Sequence, residues 1–169
     1  HSNVVTVAGT GSRWMMTGTM LVGFLGATNS LLITDGGVVS NVETRVGNSA
    51  SSTGNRVVVS GAGSILYAPE IRVGSNTISS GSGIVIIKDG GTLESGSLMS
   101  GRLQGGTPSG VISNNGGVYQ FTYFDPNVTA NSTNSVVLYN GTISFRGINN
   151  ANVFSIVKGS GFRITNMAF

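Results

Sequence analysis

Apolar and polar positions alternate along this chain in short bursts, and the bursts recur. Asn29-Ser-Leu-Leu-Ile-Thr-Asp-Gly-Gly-Val-Val-Ser40 returns as Gly83-Ile-Val-Ile-Ile-Lys-Asp-Gly-Gly-Thr-Leu-Glu-Ser95, with looser copies at Val111–Tyr119 and Val136–Ser144. Each copy predicts a short strand, an Asx-Gly corner and a second short strand. A sister unit, Asn55-Arg-Val-Val-Val-Ser-Gly-Ala-Gly-Ser64, lies between the first two copies, and its twin spans Asn3–Ser12. A further strand ending in glycine keeps step with both, at Met20–Gly23, Thr44–Gly47 and Ile71–Gly74, more weakly at Leu98–Gly101.

The last glycine of each corner gives the period. Gly11, Gly37, Gly63, Gly91 and Gly117 are separated by 26, 26, 28 and 26 residues, by subtraction, with Gly141 a further 24 on and Gly161 a further 20. A period of that length, cut into about three strands, is one turn of a solenoid. Corners need φ > 0, which glycine reaches without steric cost, and an Asx side chain supports the bend. Gly11, Asp35, Gly37, Gly63, Asp89, Gly91, Gly117 and Gly141 are the expected corner residues. Counting back four and six from the first four markers gives Val7 and Val5, Ile33 and Leu31, Val59 and Val57, and Ile87 and Val85 as the inward positions. The residues between them are more mixed, as suits a strand with one wall in a core. The fold predicted is an all-β parallel solenoid of about six to seven turns, each too small to stand alone.

Composition narrows the class. Charged residues make up 9% of the 169, glycine numbers 27, and there is no cysteine. The polarity is carried by hydroxyls and amides, and the absence of cysteine excludes a disulfide scaffold and thiolate metal sites. The nine Lys and Arg residues are scattered singly, whereas a nucleic-acid footprint would cluster them. No apolar run approaches the length of a membrane span. One domain, 1–169, is expected, with regular repeats over 1–118 and aromatic-rich wider or terminal turns over 119–169. Nine of the twelve aromatics lie at or after Tyr119. Opening on His1 rather than Met suggests a processed or excised piece.

The unit Asn-x-Val-x-Val-x-Gly-x-Gly-Ser, then x-Leu-x-Val-Gly, then Leu-x-Ile-x-Asp-Gly-Gly-x-Val-x-Ser resembles the passenger repeats of bacterial autotransporters. It stands here at Asn3–Ser12, Met20–Gly23 and Leu31–Ser40, and again at Asn55–Ser64, Ile71–Gly74 and Val85–Ser95. The resemblance is close over 3–118 and fainter beyond. It implies a right-handed parallel β-helix displayed outside the cell, an adhesin or structural stalk. The translocating barrel and anchor of that family have no counterpart in this sequence.

Candidate chemistry is sparse. The one histidine is terminal, so no base is framed for a nucleophile. Asp35 and Asp89 are equivalent by repeat and two turns apart, about 10 Å, a spacing that suits inverting glycosidases. Asn takes the same place at 115 and 140, which a turn cap tolerates and a catalytic acid does not. The short Gly-Gly-x-Gly-x-Asp repeat of calcium-binding coils is absent. Asn127, Asn131 and Asn140 sit in glycosylation-type triplets. Tyr119, Phe121 and Tyr123 share one face of a strand, either outward as a glycan-stacking row or inward as filling for a wide turn. The company of Phe145 and Phe154 favours filling. The expectation is a non-enzymatic extracellular protein of the bacterial surface, structural or adhesin-like, with no cofactor and no metal. Neither end carries a polar helical cap: if this is the full mature chain, copies are expected to stack end to end into a filament, and if it is a fragment the missing neighbours supply the caps. Surface glycans or a cell-surface protein are the other expected partners. The alternative is a carbohydrate-binding or polysaccharide-degrading β-helix.

Overall fold

The computed structural model describes residues 2–74, 81–100, 109–125, 133–139, 142–145 and 161–164, with side chains for 2–74, 81–95 and 116–118. Every named strand pairs in parallel with its neighbours, and no helix occurs among the described residues. The first turn runs through β1 (Val4–Ala8), β2 (Arg13–Met15) and β3 (Thr19–Val22). The second contains β4 (Ser30–Thr34), β5 (Val38–Ser40) and β6 (Glu43–Val46), and the third β7 (Asn55–Ser60), β8 (Ile65–Tyr67) and β9 (Glu70–Val73). Next come β10 (Ser82–Lys88) and β11 (Thr92–Ser100), then β12 (Ser109–Asn115), β13 (Val118–Asp125), β14 (Thr133–Tyr139), β15 (Thr142–Phe145) and β16 (Gly161–Ile164). The arrangement is a β-solenoid with three strands to the turn.

Two sheets form its walls. One is seven-stranded, ordered β1-β4-β7-β10-β12-β14-β16. The other, β2-β5-β8-β11-β9-β6-β3, holds two walls in one sheet because β11 runs through the shallow bend that separates β8 from β9. That bend is two residues long at Asn41–Val42 and at Ala68–Pro69, too short to break the direction of the strand.

Register explains the repeat. Val7, Ile33, Val59 and Ile87 are successive partners in one column, and Val5, Leu31, Val57 and Val85 in the next. The six members from the second turn onward are buried, none more than 2% exposed. Val7 is only half-buried and Val5 is 44% exposed, because β1 has no described strand on its outer side. Val39, Leu66 and Leu93 supply the second wall, and Val46, Ile71 and Val73 the third. Branched side chains stacked on like side chains fill a narrow core with few voids.

The first-sheet offsets are 26, 26 and 28 residues for Ala8, Thr34, Ser60 and Lys88, by subtraction, as the corner glycines indicate. Gly161 departs from the expected marker series. It lies inside β16, where Leu138 pairs with Ile164, so the last offset is 26 rather than 20. Gly141 lies outside the described residues. The strands from β12 to β16 extend the same two sheets.

Two corner designs alternate between the first and second walls. Gly9-Thr10-Gly11-Ser12 and Gly61-Ala62-Gly63-Ser64 close with Ser N–H donating to the first glycine's carbonyl at 3.0 and 3.1 Å. Gly11 and Gly63 carry φ of 91° and 79° at the third position, as a type II turn requires. At Thr34-Asp35-Gly36-Gly37 and Lys88-Asp89-Gly90-Gly91 the last N–H donates to the first carbonyl at 2.9 Å. There Asp35 (53°) and Gly36 (86°), and Asp89 (51°) and Gly90 (82°), both take φ > 0, the pattern of a type I′ turn. The left-handed step therefore falls on Asp35–Gly36 and not on Gly37. Gly37 is constrained by space instead: a Cβ there would stand 2.2 Å from the Val7 carbonyl oxygen of the turn before. Gly91 meets Val59 in the same way at 2.5 Å.

Candidate functional site

Three constellations emerge from this frame: a charged third wall, an amide ladder at its far corner, and an apolar groove beside the first turn.

The charged wall is built by register. Glu43 pairs with Glu70 and Arg45 with Arg72 in adjacent parallel strands, and residues two apart share a face. Each Glu lies beside its own Arg. Arg45 Nε and an η nitrogen donate to the two carboxylate oxygens of Glu43 at 2.6 and 2.8 Å. Arg72 pairs with Glu70 and also reaches Glu43 across the turn at 2.8 Å, and Thr19 Oγ1 donates to Glu43 from β3 at 3.2 Å. Burial pushes the Glu43 carboxyl up, but the Arg45 hydrogen bond, the charges of Arg72 and Arg45, and the Thr19 hydroxyl outweigh it and hold Glu43 below the ordinary range. Glu43 in turn raises Arg45. Such a carboxylate is committed to its pairs and has neither a proton to give nor a free lone pair for abstraction.

At the third corner Asn3, Asn29 and Asn55 stack. Asn3 donates through its backbone N–H and its amide to Asn29 Oδ1 at 3.2 and 3.0 Å, and Asn29 does the same to Asn55 Oδ1 at 2.9 and 3.0 Å. Asn55 is fully buried, and its Nδ2 has no hydrogen-bond partner among the described residues. Its side chain fits only because its neighbour at the third corner is a glycine: a Cβ on Gly23 would stand 2.2 Å from Asn55 Cγ. The repeat places Gly83 at the next rung, which ends the ladder.

The carboxylates of Asp35 and Asp89 sit at corners of the second and fourth turns, with the Ser60–Gly63 corner between them. Asp89 accepts from Lys88 Nζ and Ser60 Oγ, both at 3.1 Å, and the two hold its pKa down. A proton donor would need the reverse shift. Tyr119, Phe121 and Tyr123 fall on β13 in register with Leu93, Ser95 and Ser97; their side chains lie outside the described residues. Among the described residues no group of three or more acidic or His side chains converges to hold a metal. No described helix is long and apolar enough to cross a membrane.

The third constellation lies beside the first turn. β1, β2 and β3 end the two sheets among the described residues, and a groove of about 610 Å³ opens beside them. Val5, Trp14, Met20, Leu21, Phe24 and Leu25 supply its apolar wall, and Asn3, Asn29 and Ser30 its polar margin. Phe24 and Leu25 are 55% and 67% exposed, yet their backbone is pinned. Ser49 and Ser52 hydroxyls donate to the Phe24 carbonyl, and Ser51 to that of Leu25 at 2.9 Å.

No protein-family model matches this chain, and comparison with curated proteins and with solved structures finds no match. The solenoid arrangement therefore stands on its own geometry.

The charged wall was missed by sequence reasoning although its signal is present. Glu43-Thr-Arg-Val-Gly47 and Glu70-Ile-Arg-Val-Gly74 place Glu and Arg at the same phase of the repeat. The groove had no comparable sign, since Phe24-Leu25 reads as an ordinary apolar pair.

Proposed function

We propose that the chain is part of a non-enzymatic rod displayed at a bacterial surface, adhesin-like or structural, of the autotransporter-passenger type. In this reading the coil is right-handed and continues for six to seven turns. The observation that carries it is the stacking of apolar side chains through the described turns, Leu31, Val57 and Val85 beside Ile33, Val59 and Ile87 on the first wall, Val39, Leu66 and Leu93 on the second and Val46 over Val73 on the third, combined with Glu43, Glu70 and Asp89 in ion pairs and Asp35 at a corner. The stacked residues of the described walls serve length and rigidity. A rod of this kind separates whatever it carries from the membrane and offers long neutral faces rich in hydroxyls to surface glycans or to a protein on a facing cell.

Location supplies the test. An epitope inserted between Ser51 and Ser52, in a loop at the third corner, should label on intact, unpermeabilised cells that make the protein, and external protease should remove the label. Labelling that requires lysis would overturn the proposal.

A further inference from the structure

Two corners of the coil carry a reactive sequence. An aspartate followed by glycine is open to attack by the glycine's own main-chain nitrogen, because that residue has no side chain to shield the approach. The nitrogen bonds to the Asp Cγ, its proton and the carboxyl's hydroxyl leave as water, and a five-membered succinimide closes. Water then opens the ring at either carbonyl. Opening at the main-chain carbonyl breaks the original amide bond, so the backbone continues through Cγ as an isoaspartyl link, one water having been lost and one regained. The sequence offers this chemistry at Asp35-Gly36-Gly37 and at Asp89-Gly90-Gly91, and both aspartates are exposed.

The stack holds each attacking nitrogen. Gly36 N–H donates to Ser64 Oγ of the third turn at 3.0 Å, and Gly90 N–H donates to the Gly116 carbonyl of the fifth turn at 2.8 Å. A nitrogen whose proton is held toward the next turn neither loses that proton readily nor turns its lone pair on Cγ. Ser64 is fully buried, and its own hydroxyl proton is committed to the Ser60 carbonyl at 2.7 Å. Its oxygen is therefore fixed with a lone pair toward Gly36.

The two corners differ at the other reacting atom. A carboxylate has no hydroxyl to lose, so ring closure needs the neutral acid. Lys88 Nζ and Ser60 Oγ, both at 3.1 Å, hold Asp89 as the anion. The Asp35 carboxylate has no hydrogen-bond or ion-pair partner among the described residues. Asp89-Gly90 is thus held at both reacting atoms, and Asp35-Gly36 at the nitrogen alone, by one side-chain hydroxyl. The Asp35 corner also has no slack for an added backbone carbon. A Cβ on Gly36 would stand 3.0 Å from Thr10 Oγ1, and one on Gly37 2.2 Å from the Val7 carbonyl oxygen. An isoaspartyl link at 35 therefore pushes the second turn off the first.

We propose that Asp35-Gly36 is a spontaneous modification site of this chain, an isoaspartyl-forming corner that the Ser64 hydroxyl of the next turn keeps closed, and that Asp89-Gly90 is the stable corner of the pair. Ser64 is a positioning residue in this scheme, acting through Gly36. The inference rests on the corner geometry and is independent of where the protein is displayed.

Cleavage after glutamate separates the two sites into the peptides 1–43 and 71–94. Chromatography then resolves each isoaspartyl peptide from its aspartyl isomer of equal mass, and electron-transfer fragmentation locates the link. In urea both sites are ordinary Asp-Gly-Gly sequences and should convert at one rate. In the folded chain at neutral pH both should slow, and Asp35 should convert faster than Asp89. Ser64→Ala should speed Asp35 about fivefold, the loss of one neutral hydrogen bond, and leave Asp89 unchanged. Gly37 N–H, which closes the turn onto the Thr34 carbonyl at 2.9 Å, should stay protected from hydrogen exchange in that variant. If Ser64→Ala does not fold, the ratio of the two sites in the folded wild-type chain decides. Equal rates at the two folded corners, or faster conversion at Asp89, overturn the inference, as does an unchanged Asp35 rate in Ser64→Ala. Faster conversion with Gly37 exchanging freely means that the turn itself has opened, and it overturns the role of Ser64.

Discussion

Two glycines that look alike in the repeat answer to different physics. Gly11 has φ of 91° with open space where a Cβ would point, whereas Gly37 has ordinary backbone and a Cβ position 2.2 Å from the Val7 carbonyl oxygen. Alanine at position 11 costs only the left-handed penalty, about 1–2 kcal/mol. At position 37 it forces two turns of the coil apart, about 3 kcal/mol or more, beyond the usual range for overpacking. Urea denaturation of the two variants checks this, and a Gly37→Ala protein as stable as Gly11→Ala would refute the contact account. Spacing made both glycines legible as corners. It did not reveal that one is there for its dihedral and the other for its missing side chain, because that distinction lies in the neighbouring turn, 26 residues away and not next in sequence. The same holds for Asn3, Asn29 and Asn55, which were legible as repeat openings, while their bonding along the axis was not.

At the scale of the strand, β6 and β9 carry a liability and its remedy together. Like charges stacked in register repel, and Glu43 over Glu70 is stable only because Arg45 and Arg72 stand beside them. Removing Glu43 leaves two guanidinium groups without their shared acceptor. Glu43→Ala should cost about 1.5–3 kcal/mol, the range for hydrogen bonds to charged groups, and Glu43→Gln somewhat less. The pH dependence follows from the sign of the shift. Glu43 is lowered in the folded protein from an ordinary value of 4.5, so its contribution is complete above that value and is lost as pH falls through the folded pKa. The thermal midpoint of the wild-type chain should drop on acidification below about 4.5 more steeply than that of Glu43→Gln, which has no proton to gain. Equal slopes would mean that the pair is solvated and contributes nothing. The apolar alternation of these strands was readable beforehand, since it repeats within two residues. The ion pairs were signalled only by Glu and Arg recurring at one phase of the repeat, and a charge two residues from its opposite acquires its meaning from the register of the next turn.

Across the whole molecule, stability belongs to the stack and should be graded along it. A residue in β7 has a hydrogen-bonded strand on both sides and a filled column above and below, whereas one in β1 has both on one side only. Val57 and Val59 are fully buried; Val5, in the same column as Val57, is 44% exposed. In quasi-one-dimensional proteins each unit draws its stability from its neighbours, and the end unit opens first. Hydrogen exchange of the chain at dilution should therefore protect the amides of Asn55–Ser60 and Ser82–Lys88 by about a hundredfold or more over those of Val4–Ala8, a difference of two pairing contacts in local opening. Uniform protection from β1 to β10 would mean that the coil opens as one cooperative block, and the neighbour-by-neighbour account would fail.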